Sequence, residues 1–357
     1  MKSVRIGSKV IGPDVPVFII AEAGVNHNAD PELALRLVGE AVDAGVDAIK
    51  FQTYTAEKLV TQTAPKYYAD TMEQWRRHEP PAGYQIDEFS QLDHLPAHAY
   101  RAVVEACQRS ALIFLSTPFD EESADFLDAL GVPAFKIASA DITHHRFLSY
   151  VAAKGKPILL STGCSTLGEI QDALEVIRDA GNADVALMHC TLSYPTAAQD
   201  ANLNMMRTMQ TAFPDHPVGF SDHTLGLVAP AVAASHGARL IEKHFTLDKS
   251  LRTSTDHFMS VDPAELRQMV QGIREAEMVM GRAEKGPVPA EETARRYARR
   301  SLVARRPIAR GQVIVEADLI LKRPGTGLPP AYVDIVVGRT ALRDIAPDTV
   351  LTWEMIQ

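Results

Sequence analysis

Residues 17–53, VFIIAEAGVNHNADPELALRLVGEAVDAGVDAIKFQT, run from a short apolar segment through an amphipathic one into a second short apolar segment. VFIIAEA and DAIKFQ are brief, apolar and bounded by polar residues, which is the pattern of buried strands. ELALRLVGEAVDAG repeats its apolar residues every three to four positions, as a helix does, and ends on glycine. The unit recurs along the chain. LIFLST, AFKIAS, PILLST, VALMHC, PVGFS and RLIEKHF read as further strands. ESADFLDAL, GEIQDALEVIRDAG and PAELRQMVQGIREAEMVM read as helices between or after them. Eight strand–helix units in about 270 residues predict a (β/α)8 TIM barrel. A doubly wound sheet fits less well, because no GxGxxG follows the first strand. VRIG and KVIG ahead of the first unit form a short hairpin, and the polar, aromatic connection at 56–90 reads as a lid or specificity loop.

Beyond the barrel, GRAEKGPVPAEETARRYARR turns to glycine, proline and charge, as linkers do. The expected organisation is a catalytic barrel over residues 1–284, a linker over 285–298 and a compact β-rich module over 299–357. Hydrophobic residues make up 46% of the 357 and charged residues 23%, the composition of a globular chain. Lys and Arg total 36 against 45 Asp and Glu, a formal charge of -9, and only Arg295, Arg296, Arg299 and Arg300 cluster, so nucleic acid is not an expected partner. Three cysteines, Cys107, Cys164 and Cys190, without a CxxC pair, suit a reducing compartment. The start MKSVRIGSKVIGPDVP has no signal-like apolar core, and no apolar run approaches the ~20 residues of a bilayer span, so a cytoplasmic protein without a membrane partner is expected.

A barrel's active site lies at the C-terminal ends of its strands, so the polar residues there carry the chemistry. They include Glu22, Asn26 and His27; Lys50 and Gln52; Ser116 and Thr117; Lys136 and Ser139; Ser161 and Thr162; His189; Ser221, Asp222 and His223; and Glu242, Lys243 and His244. Lys50 and Lys136 end different strands with Thr117, Ser139, Ser161 and Ser221 nearby, a donor set suited to a phosphate or carboxylate. His223 and His244 end adjacent strands, within reach of one metal ion, and two imidazoles leave positions open for catalysis by manganese, iron or zinc. Asp256 and His257 follow closely. His189 is assigned to packing or substrate contact, and Cys164 and Cys190 lack an adjacent base.

The ordered segments IIAEAGVNHN, AIKFQTY, FLSTPFD, FKIASAD, LLSTG, HCTLSYPT, GFSDHTLG, IEKHFTLDK, TDH and KRPGTGL resemble those of the sialic acid synthase family over nearly the whole chain. That resemblance implies a barrel followed by a C-terminal domain similar to type III antifreeze proteins. It also implies condensation of phosphoenolpyruvate with an N-acetylated aldose. Lys50, Thr117, Lys136, Ser139, Ser161 and Ser221 would hold phosphoenolpyruvate. His223 and His244 would hold a divalent metal, manganese first, with magnesium and cobalt as alternatives. Glu22, Gln52, Tyr194 and Asp256 would face the sugar or reaction centre, with Glu22 and Asp256 in catalytic roles. A domain-swapped homodimer would bring Arg323 to the sugar's N-acetyl group.

The chain departs from the family pattern at Leu192, where sialic acid-forming members often carry a phosphate-binding Asn, leaving Thr191 or Ser193 to substitute. It has Asp141 where those members often have Glu, and Ser254 and Thr255 where they have Gly-Pro. These changes bear on the acceptor: N-acetylmannosamine, or a 2,4-diacetamido-2,4,6-trideoxyhexose leading to legionaminate or pseudaminate. Two rivals remain, a Schiff-base aldolase on Lys50 or Lys136 and a non-catalytic sugar-binding module. The basic run RRSLVARRPIARG argues against an ice-binding role for the C-terminal module.

Overall fold

In the computed structural model, which describes residues 1–92 and 95–357, the apolar runs become strands and the periodic segments helices. An antiparallel hairpin, β1 (Val4–Ile6) and β2 (Lys9–Ile11), precedes eight parallel strands. These are β3 (Phe18–Gly24), β4 (Ala48–Thr53), β5 (Ile113–Pro118), β6 (Phe135–Ile137), β7 (Ile158–Ser161), β8 (Val185–Cys190), β9 (Val218–Asp222) and β10 (Leu240–His244). The first and last, β3 and β10, are hydrogen-bonded neighbours, and β5 and β6 pack side by side, so the sheet is the expected TIM barrel.

The helices stop and start where the local chemistry says they should. Asp30 accepts the backbone N–H groups of Glu32 and Leu33 to open the helix Pro31–Ala44, which ends on Gly45 at φ 76°, a left-handed conformation favourable to glycine. The helix Pro263–Met280 opens with a reciprocal capping box between Asp262 and Glu265. Buried faces such as Leu37, Val38 and Ala41, or Leu266, Met269 and Ile273, pack these helices onto the strands.

Because successive strand residues point to opposite faces, each strand divides between two cores. Ile19, Ala21, Ile49, Phe51 and Ile241 face the helices. Phe18, Ile20, Ala48, Ile113, Leu115, Ala134, Leu159, Ala186, Met188 and Leu240 fill the interior, joined by Val4, Ile6 and Ile11 of the hairpin. Continuing the interior series upward in steps of two gives Glu22, Lys50 and Gln52, Thr117, Lys136, Ser161, Cys190, and Glu242 with His244. The barrel is thus apolar at its base and ionic at its mouth. On β9 the interior position is Gly219, where a Cβ would stand 2.2 Å from the carbonyl oxygen of Leu240, so no side chain fits.

The 56–90 connection carries helices at Ala56–Leu59, Met72–Arg77 and Gln85–Leu92, the last extending just past it. Ala56, Ile86, Leu92 and Phe89 gather with Val25 and Tyr54 into a small apolar cluster of their own.

The chain divides into two units, Met1–Gly281 and Arg282–Gln357. The second contains a short helix, Glu292–Tyr297, and an antiparallel pair, β11 (Ser301–Ala304) and β12 (Leu319–Lys322). Its core includes Leu302, Ile308, Ile314, Val336, Ile345 and Leu351. Among the described residues no helix is long and apolar enough to cross a membrane.

Candidate active site

A cavity of about 420 Å³ lies over the strand ends. It is lined by Glu22, Lys50, Gln52, Thr117, Lys136, Ser139, Asp141, Ser161, Tyr194, Ser221, His223, His244 and Asp256, which are all the expected site residues of the barrel. Arg323 belongs to the second unit, directly after β12, where it forms a cis peptide with Pro324.

Several other strand-end candidates are absent from the cavity lining and are held by other partners. Ser116 bonds the Thr53 hydroxyl at 2.7 Å, Thr162 donates to the Met188 carbonyl, and His189 meets the Ala201 carbonyl at 2.8 Å while stacking on Phe220. Lys243 pairs with Asp222 at 2.6 Å, and Asn26 donates to the Phe245 carbonyl. Thr191 and Ser193, the expected substitutes for an amide donor beside Leu192, are not among the residues lining the cavity. Leu192 lines the cavity, whereas Thr191 Oγ1 donates to the Asp200 carbonyl and Ser193 Oγ to the Pro195 carbonyl.

Two buried lysines form the floor. Lys50 Nζ donates to Thr117 Oγ1 at 3.0 Å and pairs with Glu22 Oε2 at 2.7 Å; Lys136 Nζ donates to Ser161 Oγ at 2.7 Å. Burial works against the charge on Lys50, but Glu22 and Glu242 outweigh it and raise its pKa. Lys136 has less compensation, and burial lowers its pKa despite Glu242. For Glu22, burial wins over Lys50 and its pKa is raised, and its Oε1 accepts from Gln52 Nε2 at 3.2 Å. Gly24, at φ 51°, lets the backbone turn here; a Cβ would stand 3.3 Å from Gln52 Nε2 and 3.4 Å from Glu22 Oε1. Asp141 also lines the cavity, with one carboxylate oxygen buried and unpartnered, and burial brings its pKa up to about 6.

On the neighbouring strands, where His244 is the register partner of Glu22, the rings of His223 and His244 lie 5.4 Å apart, with the Tyr194 ring 4.2 Å from the first. His223 Nδ1 is 3.0 Å from the Thr191 carbonyl, so that nitrogen carries the proton and Nε2 keeps a lone pair. Burial, then the neighbouring His244, hold its pKa down at about 3. His244 Nδ1 lies 3.3 Å from Asp256 Oδ2; burial disfavours its charge, and Asp256 reverses the balance and raises its pKa. Among the described residues no group of three or more His, Cys, Asp or Glu side chains is spaced to hold a metal ion. The imidazole pair could supply two ligands to a divalent cation, which would leave its remaining positions open to water or substrate oxygen.

Glu242 was legible as the inward position two residues before His244, and it reaches both lysines at 3.8 Å. Less legible was an apolar side of the cavity formed by Leu59, Val60, Phe89, Leu92 and Phe119. Most of these come from the 56–92 segment, whose short helices lack a long periodic signal.

Fold and cavity together define a TIM-barrel enzyme whose mouth gathers two buried lysines, several carboxylates and an imidazole pair. The chain belongs to the NeuB family, which matches residues 37–285, and residues 299–357 match the SAF domain. It is 41% identical to the N,N'-diacetyllegionaminic acid synthase of Legionella pneumophila, over 98% of either chain. It is 34% identical to a pseudaminic acid synthase of Campylobacter jejuni, over 93% of this chain and 94% of that one. The crystal structure of the N-acetylneuraminic acid synthetase from Leptospira borgpetersenii superposes with a TM-score of 0.72 at 31% identity, covering 82% of this chain and 95% of that one.

Proposed function

We propose that the protein condenses phosphoenolpyruvate with an N-acetylated aldose and water to give a nonulosonic acid and inorganic phosphate. The observation that carries this reading is the pairing, within one cavity, of two buried hydroxyl-bonded lysines with an imidazole pair. The lysines suit a substrate with two anionic groups. Lys50 with Thr117, and Lys136 with Ser161, Ser139 and Ser221, would receive the phosphate and carboxylate of phosphoenolpyruvate. Glu22, Gln52, Tyr194, Asp256 and Asp141 would meet the sugar.

In the reaction, C3 of phosphoenolpyruvate bonds to the aldehyde carbon of the open-chain sugar, whose oxygen takes up a proton. Water adds at C2 and loses a proton, and the C2–O bond to phosphate then breaks. Glu22 is the carboxyl group we assign to proton transfer, since Lys50 and Gln52 hold its two oxygens in place and burial raises its pKa towards that task. His223 and His244 would hold a divalent cation, manganese first with magnesium or cobalt as alternatives, which when bound supplies Lewis acidity at the aldehyde oxygen. Asp256 orients His244.

The acceptor is N-acetylmannosamine or a 2,4-diacetamido-2,4,6-trideoxyhexose. The apolar side at Leu59, Val60, Phe89 and Leu92 favours the second, whose additional acetamido methyl and deoxygenated C6 offer apolar surface. The identity to a legionaminic acid synthase points the same way.

The test is incubation with phosphoenolpyruvate, manganese and each acceptor, reading phosphate release and product mass. Oxygen-18 in the bridging position should leave with phosphate; label retained in the keto acid refutes C–O cleavage. Pyruvate trapped on a lysine by borohydride, with activity intact in chelator, would instead support the aldolase.

A further inference from the structure

Glu242 occupies the inward position on β10 between Leu240 and His244, and it is 4% exposed. Its Oε1 accepts from Ser221 Oγ at 3.1 Å and lies 3.8 Å from Lys136 Nζ. Its Oε2 has no hydrogen-bond partner and lies 3.8 Å from Lys50 Nζ. One carboxylate thus stands between both lysines at ion-pair distance, while their closer contacts are the hydrogen bonds to Thr117 and Ser161 and the ion pair with Glu22.

The two lysines depend on it unequally. Lys50 has a partner of its own in Glu22, at 2.7 Å. Lys136 faces Lys50 from β4, Glu22 from β3, Cys190 from β8, Glu242 from β10 and Asp141 on the turn after β6. Among the described residues only Glu242 comes within ion-pair distance of it. A buried ammonium group without a counter-ion gives up its proton, and a neighbouring ammonium group favours that loss.

We propose that Glu242 is the positioning residue of the anion cup: it keeps Lys136 charged and separate from Lys50, so that each lysine meets a different anionic group of the substrate. This rests on the phosphoenolpyruvate reading above. Burial already lowers the pKa of Lys136 with Glu242 in place, and removing the carboxylate lowers it further, so anion binding should then weaken as pH rises.

The experiment is calorimetric titration of the full-length protein with phosphoenolpyruvate at about pH 6 and about pH 8.5, since a lysine whose pKa is lowered loses charge as pH rises. Glu242→Gln keeps the shape and removes the charge. Relative to wild type, it should bind about tenfold more weakly at the higher pH and recover most of that loss at the lower. Lys136→Gln should bind weakly at both. A Glu242→Gln protein that binds like wild type at both pH values, or whose loss does not change with pH, overturns the proposal. Should Glu242→Gln not fold, Glu242→Asp draws the carboxylate back from both lysines and should show the same trend in smaller degree; its absence overturns the proposal equally. Wild type that fails to bind phosphoenolpyruvate at either pH overturns the substrate reading and this inference together, whereas wild-type binding with an unaffected Glu242→Gln overturns the inference alone.

Discussion

His223 and His244 reach the cavity from adjacent strands, with one nitrogen of His223 already committed to the Thr191 carbonyl. His223→Ala and His244→Ala should each lower kcat by about a hundredfold or more with little change in melting temperature, and EDTA should do the same to the wild type, reversibly on addition of manganese. Full turnover by metal-stripped protein would remove the cation from the mechanism. Asp141 makes a different prediction. Its carboxyl titrates near about 6 in the fold against an ordinary 3.8, because burial disfavours the anion. The folded state therefore holds a proton that the unfolded chain has lost between those values, and stability falls as pH rises through them. The anion's cost is absent below 3.8 and complete above about 6. Asp141→Asn should flatten this dependence and stabilise the protein at neutral pH by roughly 2 kcal/mol, while weakening acceptor binding if the carboxyl reads the sugar. Urea melts across that pH range, beside acceptor KM, check both halves.

Strands β9 and β10 carry Ser221, Glu242 and His244, with His223 directly after β9, and their relative placement depends on a glycine below the site. With its Cβ 2.2 Å from the Leu240 carbonyl, Gly219→Ala must displace β10. It should cost about 1–3 kcal/mol in urea unfolding and lower kcat, although it touches no substrate. The 56–92 segment acts at the acceptor end. Phe89 lies half-buried on the cavity's apolar side, its ring 5.6 Å from that of Tyr54. Phe89→Ala should raise KM for a 2,4-diacetamido-2,4,6-trideoxyhexose about tenfold and leave KM for phosphoenolpyruvate unchanged, since it removes apolar contact but no anion donor. Equal changes in both constants would show that the segment supports the barrel rather than reading the sugar.

At the scale of the whole molecule, the family resemblance would make the protein a swapped homodimer, with Arg323 acting in the active site of the other subunit. Glu22→Ala and Arg323→Ala should each be nearly inactive. When the two are co-refolded at equal concentration, random pairing makes about half of the dimers mixed, and one site of each mixed dimer carries neither lesion, so about a quarter of wild-type sites should return. If activity stays at the level of the separate variants despite verified chain exchange, Arg323 does not act in trans.

The eight apolar runs and the helices between them were legible without coordinates, because buried parallel strands are continuous apolar segments and amphipathic helices repeat at 3.6 residues. So were the strand-end residues, since a barrel fold places its chemistry there. What periodicity alone could not supply was the choice among neighbours: Ser116 or Thr117, Thr162 or Ser161, Lys243 or Glu242. That choice depends on which strand face turns inward, and the barrel settles it by burying Phe18, Ile20 and Leu240 on the face that continues to Glu22, Glu242 and His244. Only the tertiary structure shows Glu242 between two lysines from β4 and β6. The three residues are far apart in the chain, and a carboxylate's electrostatic role depends on which charges close around it in space.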